Sequence, residues 1–194
     1  MHAHVLEELL PVLTRASVEI KQHHALNPDE HALQEEELKI LDVGSGSGFL
    51  TAAFGRLVDR GTQGPIPPLV KGKVYGIDVY PELVNFALSN MKKADQDLLD
   101  SETVSIQVGD GWRGLPDVAP FHAIHVGAAA ASFPQNLMMQ LHPRGGIMIV
   151  PIGPNGGTQN LYRVERMRER NTFHKEDFDI RALFGVRYVP LLRP

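Results

Sequence analysis

Leu38-Lys39-Ile40-Leu41-Asp42-Val43-Gly44-Ser45-Gly46-Ser47-Gly48 decides how the fold is read. A short apolar run that stops at glycine reads as a buried strand. The glycines allow positive φ where the turn demands it and let a ligand approach bare backbone. Leu50, Ala53, Phe54 and Leu57 then recur at helical spacing through residues 48–59. The helix therefore begins at the turn, and its N-terminal amides favour an anionic group. A Gly-x-Gly turn between strand and helix is common in nucleotide-binding domains, so the neighbouring segments must refine the reading.

Toward the C-terminus the pattern repeats. Residues 60–72 form a long Gly/Pro loop, too long for a tight connection and read as an insertion or lid. Residues 73–78 are a second strand ending in Asp78, and Pro81 opens a helix that runs to about Lys93. Strands follow at 103–108, 121–126 and 147–151, with a short helix at 134–141 closed by Pro143 and Gly145-Gly146. Alternating apolar residues at 159–167 and 181–190 predict an antiparallel pair at one edge. Toward the N-terminus, residues 3–20 predict an amphipathic helix that Pro11 kinks or divides. Residues 21–36, rich in His and Glu, predict a solvated surface connection. Strand and helix alternate at least four times, which calls for an α/β, doubly wound, mostly parallel sheet with an antiparallel edge. With no internal repeat, residues 1–194 are expected to form a single domain.

Composition narrows the function. The 194 residues carry 19 Lys plus Arg against 23 Asp plus Glu, a net charge of −4, with no basic block to bind nucleic acid. There is no cysteine, which excludes disulfides, zinc–thiolate sites, iron–sulfur clusters and cysteine nucleophiles. No apolar run approaches the roughly 20 residues of a membrane helix. Met1-His2-Ala3-His4 lacks the basic region of a signal peptide. The expectation is a cytoplasmic protein with no membrane partner, and a monomer.

In a doubly wound sheet, ligands bind beyond the carboxyl ends of the strands. The first strand ends in Asp42-Val43 before Gly44-x-Gly46-x-Gly48. That motif is one residue shorter than the dinucleotide fingerprint Gly-x-Gly-x-x-Gly, which suits a ligand without a pyrophosphate, such as S-adenosyl-L-methionine. Asp42 either orients the loop amides or reaches the ligand's ammonium group. Asp78 can accept from both ribose hydroxyls, or cap the helix that begins at Pro81. It lies 34 residues after Gly44, against roughly 20 in the fingerprint, and the 60–72 insertion accounts for the excess. Asp110, in Gly109-Asp110-Gly111, can accept from an adenine amino group, or close an Asx-type turn. Three acids at three strand ends, with one glycine loop, argue together for an adenosine-containing ligand.

Leu41-Asp42-Val43-Gly44-Ser45-Gly46-Ser47-Gly48 resembles the first motif of class I S-adenosylmethionine-dependent methyltransferases. Gly76-Ile77-Asp78, Val108-Gly109-Asp110-Gly111 and Ala123-Ile124-His125-Val126-Gly127-Ala128-Ala129-Ala130 are more specific, as are Pro143-Arg144-Gly145-Gly146 and Pro151-Ile152-Gly153. With the ending Gly185-Val186-Arg187-Tyr188-Val189-Pro190-Leu191, they resemble the protein-L-isoaspartate O-methyltransferases over about residues 1–22 and 38–192. The resemblance implies a Rossmann-like methyltransferase sheet and a protein-repair enzyme. Such an enzyme moves a methyl group from S-adenosyl-L-methionine to the α-carboxylate of isoaspartyl residues in damaged proteins and peptides. Carried over position by position, it implies that Asp42, Gly44 and Gly46 hold the methionine part of the cofactor. Asp78, Val79, Tyr80, Pro81, Glu82, Leu83, Val84 and Asn85 would hold ribose and nearby atoms, and Asp110 and Gly111 adenine. His2 matches the family's histidine beside its substrate and cofactor segment.

Departures from the family pattern set the alternatives. The family's Thr-x-Ser-x-Pro segment, which supplies its active-site serine, precedes the Met-His-Ala and has no counterpart in this sequence, so no catalytic residue is assigned. The polar residues that follow Leu191-Leu192 in the family are also missing. A truncated, non-catalytic S-adenosylmethionine-binding module with weak or absent turnover is therefore one alternative expectation. Residues 23–37 and 60–72 exceed the family's lengths, and His122 stands where the family has an acid. A NAD-dependent oxidoreductase is a further alternative, against which stand the shorter glycine motif and the lack of a Tyr-x-x-x-Lys pair. The histidines show no helical metal-ligand spacing with a carboxylate partner, so no metal is expected. His23, His24 and His31 read as solvated, and His125 as a satisfied core histidine. Trp112 either walls the adenine site or covers the sheet edge. The Arg163–Arg170 stretch, interleaved with acids, reads as a solvated face.

Overall fold

The computed structural model describes residues 2–26, 37–59 and 70–194. His31 and most of the 60–72 loop, singled out above, lie outside the described residues. The first helix, α1 (His2–Leu26), is longer than its periodicity predicts and continues through Pro11. Its buried face carries Val5, Leu9, Val12, Leu13, Ala16 and Ile20, with about 1.5–3 kcal/mol of burial free energy from each Val, Leu and Ile and less from Ala16. Pro11 sits on the exposed side, as does Glu7, whose carbonyl loses its helical donor. That carbonyl is left to water, so the proline is tolerated without dividing the helix. His23, expected in a connection, is part of α1.

The remaining elements follow in order: β1 (Leu38–Val43), α2 (Phe49–Val58), β2 (Gly72–Asp78), α3 (Pro81–Ala94), α4 (Gln96–Asp100), β3 (Val104–Val108), β4 (Ala123–Val126), α5 (Gln135–Met139), β5 (Ile147–Ile152), β6 (Gln159–Arg166) and β7 (Phe178–Val186). The short α4 has no strong apolar period to announce it. Arg56 anchors that region by binding Asp95 (2.9 Å) and Asp97 (2.5 Å).

The seven strands form one sheet in the order β3-β2-β1-β4-β5-β6-β7. The first five are parallel, and β6 and β7 complete it as an antiparallel edge, as the alternation predicts. On β1, Leu38 and Ile40 join the core beneath α1, α2 and α3, while Leu41 and Val43 join the core on the opposite face. That second face is covered by α5 and the irregular segment holding Trp112, Leu115 and Phe121. The chain runs outward from β1 to β3, then crosses to β4 on β1's other side. The strand order thus reverses between β1 and β4, and the crevice at that point is where such sheets bind ligands.

The Arg163–Arg170 stretch divides: residues 167–170 are exposed, as a solvated face predicts, whereas residues 163–166 are not. Arg166 is 7% exposed and donates to four carbonyls: Met139 (2.9 Å), Leu141 (2.9 Å), Arg168 (3.3 Å) and Arg170 (2.8 Å). Arg163 pairs with Glu8 on α1 and Glu165 beside it. These arginines fasten the antiparallel edge to α5 and α1, which a list of alternating charges does not reveal. No helix among the described residues is long and apolar enough to cross a membrane.

Candidate functional site

The glycine loop leaves β1 and turns through Gly44 (φ 77°), Gly46 (φ 54°) and Gly48 (φ 80°), which is the conformation that only glycine adopts without strain. Its shape is set from β2. The amides of Gly44 and Ser45 donate to the Ile77 carbonyl (2.8 and 3.1 Å), and the Gly46 amide donates to Asp78 Oδ2 (3.1 Å). Asp78 Oδ1 accepts from the Tyr80 amide (3.1 Å). One carboxylate, 7% exposed, therefore holds both the loop and the entry to α3. Asp78 does not cap α3 directly; the capping position is Tyr80, without a side-chain bond. Each Asp78 oxygen has one backbone donor, so about two of its four lone-pair sites remain for a ligand.

Beside the loop lies a cavity of about 510 Å³, within the range that small-molecule sites occupy. Gly44, Gly46, Gly109, Gly111, Gly127 and Asp78 line it with backbone and one carboxylate, and Tyr80, Leu83, Val189 and Leu191 add apolar walls. The Gly127 amide donates to the Val43 carbonyl (2.7 Å), closing the floor between β1 and β4. A Cβ on Gly127 would lie 2.8 Å from the Gly44 carbonyl oxygen, and one on Gly111 would lie 2.8 Å from Leu191 and Val43. Gly127→Ala should therefore push the glycine loop out of place while leaving the core intact. The expected result is at least about a tenfold loss of adenosyl-ligand affinity by calorimetry, with cooperative unfolding retained. Wild-type affinity in that variant would show that the loop yields freely.

The expected site residues separate. Gly44, Gly46, Asp78, Val79, Tyr80, Leu83 and Gly111 line the cavity. Within the block 78–85 the helical period divides the rest: Val84 is buried in the core, and Pro81, Glu82 and Asn85 face solvent. Asp110 stands between two lining glycines, with its Oδ1 accepting from the Trp112 amide (2.8 Å) and its carbonyl accepting from Arg113 and Gly114, so it closes the turn there. Asp42 does not orient the loop amides. Its Oδ2 accepts from Thr51 Oγ1 (2.5 Å) and its Oδ1 meets His125 Nδ1 (2.7 Å), at 1% exposure behind the floor. His2 begins α1, but its side chain lies outside the described residues.

Among the lining residues that the sequence did not single out as site residues, Val189, Pro190, Leu191 and Leu192 come from farthest along the chain. They belong to a C-terminal strap held by Ala129, whose amide donates to the Val189 carbonyl and whose carbonyl accepts from the Leu191 amide (both 2.8 Å). Trp112 Nε1 donates to the Leu191 carbonyl (3.0 Å), and the Arg193 guanidinium sits 5.0 Å over its ring. Trp112 thus anchors the strap instead of lining the cavity. In the sequence this segment reads as the end of the 181–190 strand and of the family-like ending at 185–191, but β7 stops at Val186 and the chain beyond it turns back over the cavity.

Comparison with known proteins then decides the family. A family profile described as protein-L-isoaspartate(D-aspartate) O-methyltransferase matches residues 10–193. The chain belongs to this family. It is 36% identical to the protein-L-isoaspartate O-methyltransferase of Triticum aestivum, covering 94% of this chain and 72% of that protein. The Myxococcus xanthus member is also 36% identical, over 86% of this chain and 68% of its own length. The chain spans only 44% of an Arabidopsis thaliana member, protein-L-isoaspartate O-methyltransferase 2, at 38% identity. Among solved structures, a Plasmodium falciparum protein described as a member of this family, in complex with S-adenosyl-L-homocysteine, superposes with a TM-score of 0.70. It is 27% identical, covering all of this chain and 74% of that one.

Proposed function

We propose that this chain transfers the methyl group of S-adenosyl-L-methionine to the α-carboxylate of isoaspartyl residues in damaged proteins, with the donor in the cavity beyond β1, β2 and β4. The family is one of S-adenosylmethionine-dependent methyltransferases. The observation that carries the reading is Asp78, which sits at a glycine-walled cavity with lone pairs to spare. The fit to the donor is good: a carboxylate suits the ribose hydroxyls, and Gly109 and Gly111 leave space for a flat ring. Gly44, Gly46 and Gly127 let the methionine part approach backbone. Leu83, Val189, Leu191 and Leu192 would keep water from the sulfonium centre.

Bound S-adenosyl-L-methionine supplies an electrophilic methyl group on a sulfonium centre. The acceptor carboxylate is ionised at neutral pH, with a reference pKa of about 4, so the chain needs no strong base. What its residues contribute is alignment and exclusion of water. The substrate enters as a protein or peptide chain. A cytoplasmic monomer without a nucleic-acid partner is part of the same proposal, supported by the net charge of −4 and by a cysteine-free sequence suited to a reducing compartment.

The test has two stages. Calorimetry with S-adenosyl-L-homocysteine, with NAD as control, should give dissociation constants in the range of about 1–100 μM for the first and no binding for the second. Labelled methyl transfer to an isoaspartyl peptide should then proceed, with none to its aspartyl isomer. A folded chain that binds neither ligand, or one that methylates both peptides alike, would overturn the reading.

A further inference from the structure

We propose that His125 is a positioning residue for the methyl donor, acting through Asp42 on the glycine loop. The inference rests on the function proposed above and deepens it. Asp42 and His125 are register partners on β1 and β4. Ile40 and Ala123, two residues before each, face the core beneath α1 and α2, so both side chains point to the α2 side of the sheet. There Thr51, in the first turn of α2, completes the set. Asp42, His125 and Thr51 are 1%, 6% and 0% exposed. An ionised carboxylate only accepts hydrogen bonds, so His125 Nδ1 carries the proton toward Asp42 Oδ1 and Thr51 Oγ1 donates to Oδ2.

A polar set buried this deeply is no more stabilising than apolar packing of equal volume. What it adds is geometry. The glycine loop leaves the sheet two residues after Asp42 and enters α2 just ahead of Thr51, so the Asp42–Thr51 bond closes the base of the loop. His125 lies two residues before Gly127, and its bond to the same carboxylate locks the end of β4 where the Gly127 amide reaches Val43. Loop and floor are thereby tied at one carboxylate. The loop has need of a tie. It runs through three positive-φ glycines, and its Ser45 hydroxyl is buried without a hydrogen-bond partner among the described residues. Without His125 the carboxylate holds only Thr51, and donor binding must reorder the loop.

His125→Leu fills the space without a donor. His125→Asn places a side-chain N–H about where Nδ1 stands. The leucine variant should lose about tenfold or more in S-adenosyl-L-homocysteine affinity while its KM for an isoaspartyl peptide changes by less than about twofold. The asparagine variant should recover to within about threefold of wild type. If His125→Leu does not fold, the pair Thr51→Val and Thr51→Ser makes the same comparison at the other oxygen, with serine restoring binding and valine not. Wild-type affinity in His125→Leu overturns the inference. So does an asparagine variant as weak as the leucine one, because a merely structural imidazole would not be rescued by its donor. A wild-type chain that fails to bind the ligand overturns the proposed function itself, and this inference with it.

Discussion

Asp78→Asn is expected to weaken S-adenosyl-L-homocysteine binding by about 100-fold or more, the largest single loss in the site. The wild-type carboxylate accepts from the Gly46 amide on one oxygen and the Tyr80 amide on the other. An asparagine of the same shape keeps one acceptor and turns the other position into a donor. One backbone N–H then faces another N–H, so either the glycine loop or the entry to α3 loses its anchor. The acceptor sites left for ribose hydroxyls fall at the same time. Hydrogen bonds to a charged group contribute roughly 1.5–3 kcal/mol each, and losing two of them already exceeds the 2.7 kcal/mol of a 100-fold change. Calorimetry reads the affinity, and urea unfolding separates it from general destabilisation. An asparagine variant that binds as tightly as wild type would remove Asp78 from the site.

The second large effect is on stability in acid, and it arises far from the cavity. His122 precedes β4 and is 5% exposed. Burial pushes its imidazole down to about 3, aided by the positive charges of His142, Lys39 and Arg144. The ring stacks on His142 (centroids 4.5 Å apart, planes at 13°), and its Nδ1 accepts from the Lys39 amide (3.2 Å). The folded chain keeps this group neutral, whereas the unfolded chain protonates it below about 6.5. The unfolded state therefore binds more protons between those values. Its contribution to stability is fully present above about 6.5 and is lost as pH falls toward 3, at up to about 1.4 kcal/mol per pH unit. Urea unfolding at pH 6.5 and pH 4.5 should differ by roughly 2 kcal/mol more in wild type than in His122→Asn, which keeps an acceptor for Lys39 and removes the titration. Equal slopes for the two proteins would mean that His122 is protonated in the fold.

These two residues differ in how far the sequence revealed them. Asp78 was legible because it ends a strand before Pro81, in a chain whose strand-ending residues face the ligand crevice by topology. His122 was legible only as a departure from the family's acid. Its stacking partner lies 20 residues away, and its burial comes from α1 packing over the ends of β4 and β5. Arg166 is a similar case. Amid alternating charges it reads as solvated, yet it closes four carbonyls that come together only when β6 lies beside the end of α5.

Local pattern determined the order of the strands and of every helix but α4, the glycine loop, the antiparallel edge and the kind of ligand, because period, glycine placement and strand-end acids act over a few residues. The strand order β3-β2-β1-β4-β5-β6-β7 and the pairing of Asp42 with His125, 83 residues apart, were decided by the tertiary structure. So was the split of residues 78–85 into cavity, core and solvent, along with the return of residues 189–192 to line the cavity. The physical reason is common to all four. A side chain's direction follows from its own backbone, but its partner follows from how sheets and helices bury their apolar faces against one another.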